Sequence, residues 1–146
     1  MKNTFKLLSF FLLVFFSSCK KEIQERQDKT IFLTKPSGWL TSKYEQQVSG
    51  QWIDITSTIT PFDADNLLIF DPWGGWAIHE GALKLPGNAQ VPFSGEWSFE
   101  EYETKIQLKQ GDRVANLMQI IELTENSFQV LVNDRGTTLR YTYKHP

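Results

Sequence analysis

From residue 30 onward, apolar and β-branched residues come in short bursts divided by turn formers, and no helical period lasts beyond about two turns. Trp39 to Gln46 alternates weakly. Gln51 to Thr58 is rich in β-branched and aromatic residues, and Leu67 to Phe70 is a continuous apolar run between Asp65-Asn66 and Asp71-Pro72. Gly75 to Glu80, Gly95 to Phe99 and Thr104 to Leu108 are further short candidate strands. Alternation is clearest in the last third, in Met118 to Leu123, Ser127 to Val132 and Leu139 to Tyr143, divided by Thr124-Glu-Asn126 and Asn133-Asp-Arg-Gly136. Only Lys29 to Lys35 suits a short helix, stopped by Pro36 and Gly38. Strands joined by short turns pair antiparallel, and about eight of them close into a small barrel without free edges. The pattern therefore predicts an all-β fold, a small antiparallel up-and-down β-barrel, with an open sandwich as the alternative. The longest irregular stretch, Gly81 to Phe93 with Pro86-Gly87-Asn88 and Pro92, is a candidate lid or mouth loop.

The chain ahead of this domain is patterned differently. Lys2 and Lys6 precede an apolar run, Leu7 to Phe16, broken only by Ser9 and followed by Ser17-Ser18. A basic start, a short apolar run and small residues at its end make a secretory signal peptide. The run falls well short of the ~20 apolar residues of a permanent bilayer-spanning helix. Phe16-Ser17-Ser18-Cys19 resembles a bacterial lipobox, whose cysteine is acylated and becomes the new N-terminus. The competing reading is an uncleaved signal anchor with an incidental thiol. Several acyl chains such as palmitate on Cys19, at ~0.8 kcal/mol per buried methylene, would hold the protein to the outer membrane without release. Lys20 to Lys29 is nearly all charged or amide and forms a solvated tether, reaching at most ~35 Å when extended. The expected organisation is a signal peptide over 1–18, a lipidated cysteine and tether over 19–29, and one barrel domain over 30–146.

Composition narrows the function classes. The 146 residues are 40% apolar and 14% aromatic, as a single folded domain requires. Fifteen basic against seventeen acidic residues leave no basic excess with which to hold nucleic acid. Cys19 is the sole cysteine, which excludes an internal disulfide framework and any multi-cysteine zinc site.

The run Lys35-Pro-Ser-Gly-Trp-Leu-Thr-Ser-Lys-Tyr44 is followed in order by Asp65-Asn-Leu-Leu-Ile-Phe70, Glu80-Gly81, Gly95-Glu-Trp-Ser-Phe99 and Ile120-Ile-Glu-Leu-Thr124. This succession resembles the lipocalin-like lipoproteins of Gram-negative bacteria, over about residues 30 to 146. The resemblance implies a small β-barrel on a lipid anchor and carries no ligand with it. Two departures stand out: lipocalins proper have Gly-x-Trp where this chain has Gly38-Trp39, and no cysteine follows Cys19 to staple the barrel.

Among candidate functional residues, the aromatics say most. Strand alternation sets Trp97 with Phe99, Trp76 with Ile78, and Leu68 with Phe70, each pair on one face. Trp39, Phe70, Trp76, Trp97 and Phe99 are therefore candidate ligand-facing residues of the interior. Such rings either frame an apolar calyx or simply fill a barrel this narrow. Trp73, in the turn Asp71-Pro-Trp-Gly-Gly75, and Arg135 are candidate surface contacts. Asp63-Ala-Asp65-Asn66 offers clustered oxygens but lacks the glycine and distal glutamate of a calcium loop, so it reads as a turn with no metal. His79 and Glu80 point to opposite faces of a strand, and Glu96, Glu100, Glu101 and Glu103 read as a solvated turn. No nucleophile, phosphate-binding or cofactor motif stands out, and the expectation is a protein without enzymatic activity. The leading functional expectation is a lipid-anchored envelope lipoprotein binding a small hydrophobic ligand. The alternative is a protein-interaction module, an inhibitor or accessory subunit with a solid core.

Overall fold

The computed structural model describes residues 29–84 and 86–146; the signal segment, Cys19 and the tether as far as Asp28 lie outside the described residues. Nine strands follow: β1 (Trp39–Val48), β2 (Gln51–Asp54), β3 (Leu67–Phe70), β4 (Gly75–His79), β5 (Phe93–Glu100), β6 (Lys105–Gln110), β7 (Arg113–Leu123), β8 (Phe128–Asp134) and β9 (Thr137–Lys144). All pair antiparallel. The order β1-β3-β4-β5-β6-β7-β8-β9 returns from β9 to β1, closing an eight-stranded barrel with β2 as an additional strand.

The odd strand is explained by how β1 shares its second edge. Its first two residues pair with Leu67 and Leu68 of β3, and its last four, Glu45 to Val48, pair with β2. The run rich in β-branched and aromatic residues reaches Thr58, but the strand stops at Asp54 for a local reason. Asp54 Oδ1 accepts the Thr56 N–H at 2.9 Å, and Thr56 Oγ1 accepts the Tyr44 N–H at 2.9 Å. Side chains thus take over the ladder, and the backbone turns through a 3-10 segment, Thr56–Thr58. A single helical turn, Pro61–Ala64, with proline at its start, then leads into β3. The cluster Asp63 to Asn66, read from sequence as a turn, is this helical turn and its exit.

The closing seam lies between β1 and β9. A bulge at Ser42 resets the alternation of β1, so Trp39 and Thr41 face inward before it, and Tyr44, opposite Tyr141, after it. On the outer face Glu45 lies opposite Arg140 and is only 4% exposed. It accepts from Arg140 Nε at 2.7 Å and from Lys43 Nζ at 2.8 Å. The guanidinium of Arg140 sits 4.2 Å over the Trp52 ring of β2. The hydrogen bond from Arg140 holds the Glu45 carboxyl down at about 2, against the opposing effect of burial and with help from Lys43.

The two barrel ends are built differently. One is closed by residues 29–33, a helical turn whose Leu33 is fully buried and whose carbonyl accepts the Trp39 indole N–H at 2.8 Å. Behind it Phe70, Phe128, Trp97 and Phe99 pack edge-to-face, with ring centroids 5.2 to 6.2 Å apart. His145 lays its ring 4.0 Å from that of Trp39 and bridges the carbonyls of Gly38 and Glu125, at 2.8 and 3.1 Å. The opposite end carries the β1–β2, β6–β7 and β8–β9 turns and the long 80–92 loop. It is open.

Candidate functional site

Inside the open half lies a cavity of about 340 Å³. Its floor and walls are Trp39, Leu68, Trp76, Ile78, Leu108, Met118 and Val132, inward-facing residues contributed by six strands. Tyr141 and Tyr143 form one side. Thr41, Asp63, Asn66 and Asn116 supply the polar groups, and Ala115 completes the rim.

Each wall has a local cause. Trp76 can reach over β5 because its partner there is Gly95, where a Cβ would stand 1.8 Å from the Lys109 carbonyl oxygen. That space lets the Trp76 indole N–H donate to the same oxygen at 3.0 Å, so the ring partitions cavity from packed core. Tyr44, Tyr141, Tyr143 and Phe128 form a stacked column running from the open end to the closed one, with centroids 4.5, 6.0 and 5.3 Å apart. Burial pushes the hydroxyls of Tyr141 and Tyr143 far above the usual phenol range, so both remain neutral.

The mouth is tied to the long loop. Asn66 Oδ1 accepts the Gly81 N–H at 3.1 Å and Asp65 Oδ2 accepts the Leu83 N–H at 3.0 Å. Glu80, buried at the loop's start, donates its N–H to the Gln90 carbonyl at 2.9 Å and accepts from Asn88 at 3.2 Å. The stretch expected as a mouth loop is thus fastened at the rim of the cavity. Several apolar residues around this end, among them Val48, Ile53, Phe93 and Val114, are about half exposed.

The five interior candidates divide. All belong to the inward face, but only Trp39 and Trp76 line the cavity, while Phe70, Trp97 and Phe99 fill the closed end. Trp97 also donates its indole N–H to the Asp71 carbonyl at 2.9 Å. Trp73 is 94% exposed at the closed end, and Arg135 is exposed at the open end on the β8–β9 turn, so the two do not share a surface. Sequence reasoning missed Asp63, Asn66, Asn116 and Tyr141 as lining residues. For the tyrosine the signal was present, since Leu139, Tyr141 and Tyr143 alternate on one face.

Chemically, the cavity offers a carboxylate, two amides, hydroxyls and aromatic faces. Among the described residues, no lysine, arginine or histidine lines it, and no cluster of three or more His, Cys, Asp or Glu side chains is placed to hold a metal. One Ser–His pair exists elsewhere, Ser37 Oγ and His145 Nδ1 at 3.0 Å. That Nδ1 also faces the Gly38 carbonyl at 2.8 Å, and a ring nitrogen donating there has no lone pair to take a serine proton. The pair clamps the closed end. No protein-family model matches the chain, and no curated protein is significantly similar to it.

Proposed function

We propose that this chain is a lipid-anchored, lipocalin-like envelope lipoprotein whose barrel binds a small, mainly apolar molecule without catalysing a reaction on it. The observation that carries the reading is the half-filled interior. A cavity of about 340 Å³ lies inside the common range of ligand pockets, and apolar walls with a few polar groups at the mouth are the usual composition of such sites. The space itself favours this reading over an interaction module with a solid core. The anchor is supported by the lipobox-like Phe16-Ser17-Ser18-Cys19 and by the charged tether that follows it.

The lining also selects the ligand's charge. Asp63, exposed at the rim, is the one acid of the lining and no base offsets it, so a buried carboxylate or phosphate on the ligand would find neutral donors but no cationic partner. The ligand is neutral or cationic at its polar end, with hydroxyl, amide or amine groups suited to Asp63, Asn66 and Asn116. Purification without detergent exchange, solvent extraction and mass spectrometry test this directly. A reproducible apolar compound without an acidic group is expected. Its loss is expected in the Ala115→Phe variant, whose ring fills the rim, with the melting transition retained. A barrel recovered empty in repeated preparations, or one loaded with fatty acid, refutes the assignment.

A further inference from the structure

The most exposed large hydrophobic residues described are not at the mouth of the cavity. They are Trp73, at 94%, and Tyr102, at 101%, and both sit on turns of the closed end. The β3–β4 turn carries Trp73 and the β5–β6 turn carries Tyr102, so their tips lie about two strand spacings apart, ~10 Å around the rim.

Both turns are built to hold their rings outward. At the first, Asp71 Oδ1 accepts the N–H groups of Trp73 and Gly75, at 2.7 and 3.0 Å, and the Gly74 carbonyl accepts the Trp97 N–H. At the second, Glu101, Tyr102 and Glu103 all take left-handed backbone angles, φ 48, 56 and 64°, without a glycine among them. Three such residues in succession cost free energy, and the Tyr102 ring, wholly exposed, returns none of it. Thr104 braces the turn by donating its N–H and hydroxyl to the Glu101 carbonyl.

The end of the described chain lies at the same place. Lys29 Nζ donates to the Glu103 carbonyl at 3.2 Å, so the first described residue is held beside the turn of Tyr102. Only nine residues separate Lys29 from Cys19, a reach of at most ~35 Å. Two ion pairs lie on this face, Lys105 with Glu101 and Lys35 with Glu125. We propose that the closed end is the face this domain lays on a lipid bilayer, with Trp73 and Tyr102 seated among the headgroups and the open end turned away. Amphipathic aromatic rings favour that level of a membrane, and a short tether raises the effective concentration of the contact. The proposal rests on the anchored reading of Cys19.

The test uses the full chain with its anchor, reconstituted into phosphatidylcholine vesicles with or without bromine near the top of the acyl chains. Wild-type and Trp73→Phe proteins are compared by flotation and by tryptophan fluorescence. The emission attributable to Trp73 is expected to shift to the blue and to lose most of its intensity in brominated vesicles. A reporter at the other end, Val114→Trp in the Trp73→Phe chain, is expected to keep its intensity. Protein that floats while Trp73 emits as in water overturns the docking face and leaves the anchor standing. Quenching of the Val114→Trp reporter overturns it by reversing the orientation. Protein that does not float, with Cys19 unmodified by mass spectrometry, overturns both.

Discussion

The two halves of this barrel share strands, yet they solve opposite problems. In the closed half, neighbouring aromatics meet edge to face and Leu33 fills the last gap, so water is excluded and stability accumulates. In the open half the side chains of the same strands do not fill the interior, and a cavity remains. The comparison teaches that ligand space in a narrow barrel depends on how its rings are set: crossed edge-to-face they fill the closed end, whereas Tyr44, Tyr141 and Tyr143, stacked on one another, form one side of the open half and leave room beside them. Eight strands enclose barely enough width for side chains, so rings crossed edge-to-face in both halves would have left no room.

Removing the partition should have the largest effect. Gly95→Ala would place a Cβ against the Lys109 backbone, which cannot give way as a flexible side chain does, and would dislodge the Trp76 hydrogen bond. A loss of about 3 kcal/mol is expected in chemical denaturation, with Trp76 fluorescence moving toward that of a solvated indole. A smaller, matched pair sharpens the contrast between halves. Val130 and Val132 lie two residues apart on the same face of β8; Val130 is fully buried in the packed end and Val132 lines the cavity. Val130→Ala should cost about 2 kcal/mol and Val132→Ala about 1, because a side chain that already borders empty space forfeits fewer contacts. Equal losses would mean that the open half is packed as tightly as the closed one.

The seam at Glu45 gives the contrast a common reference, since it closes the barrel for both halves. Its folded carboxyl is held at about 2, below the ordinary value of 4.5, so its stabilisation is fully present above 4.5 and fades as pH falls toward 2. Between those limits wild type should lose about 1–3 kcal/mol more than Glu45→Gln, and the two denaturation profiles should converge near pH 2. Parallel profiles would show that Arg140 gains nothing from the ionised partner.

Much of this architecture was legible in the chain, and the exceptions have physical causes. β3 spans Leu67–Phe70, as its flanking Asp-Asn and Asp-Pro pairs predict, and the last three strands lie where alternation is clearest. Period-two alternation also sets Phe70, Trp76, Trp97 and Phe99 on the interior face. It cannot tell which of them fill and which line, because height along a barrel depends on the stagger between strands, summed around the ring. For the same reason Trp73 and Arg135, both legible as turn residues, fall at opposite ends. The Ser42 bulge and the takeover of the ladder by Thr56 depend on partners 100 and 12 residues away in sequence, respectively. The acidic run at Glu100 to Glu103 reads as a solvated turn, and nothing in its composition announces a left-handed one.

That last turn also yields the smallest prediction and the one that separates stability from use. Tyr102 sits at φ 56° with its side chain wholly in solvent, so replacing it removes no packing and relieves a conformation that L residues disfavour. Tyr102→Gly should therefore stabilise the domain by about 0.5–1 kcal/mol, the relief exceeding the entropy glycine adds to the unfolded chain. At the opposite end the β8–β9 turn holds Arg135 at φ 50° beside Gly136 at φ 86°, whose N–H is donated to Asn133 Oδ1 at 3.0 Å, and the β1–β2 turn holds Ser49 at φ 49° beside Gly50 at φ 79°, so each left-handed pair there includes a glycine. The turn at Tyr102 differs in running through three left-handed residues with no glycine among them, and the membrane face gives that choice a use outside the fold. If Tyr102→Gly raises the melting temperature while Trp73 quenching in brominated vesicles weakens, the strain serves the membrane face. If the variant is no more stable than wild type, the turn is unstrained, and this part of the case for that face is withdrawn.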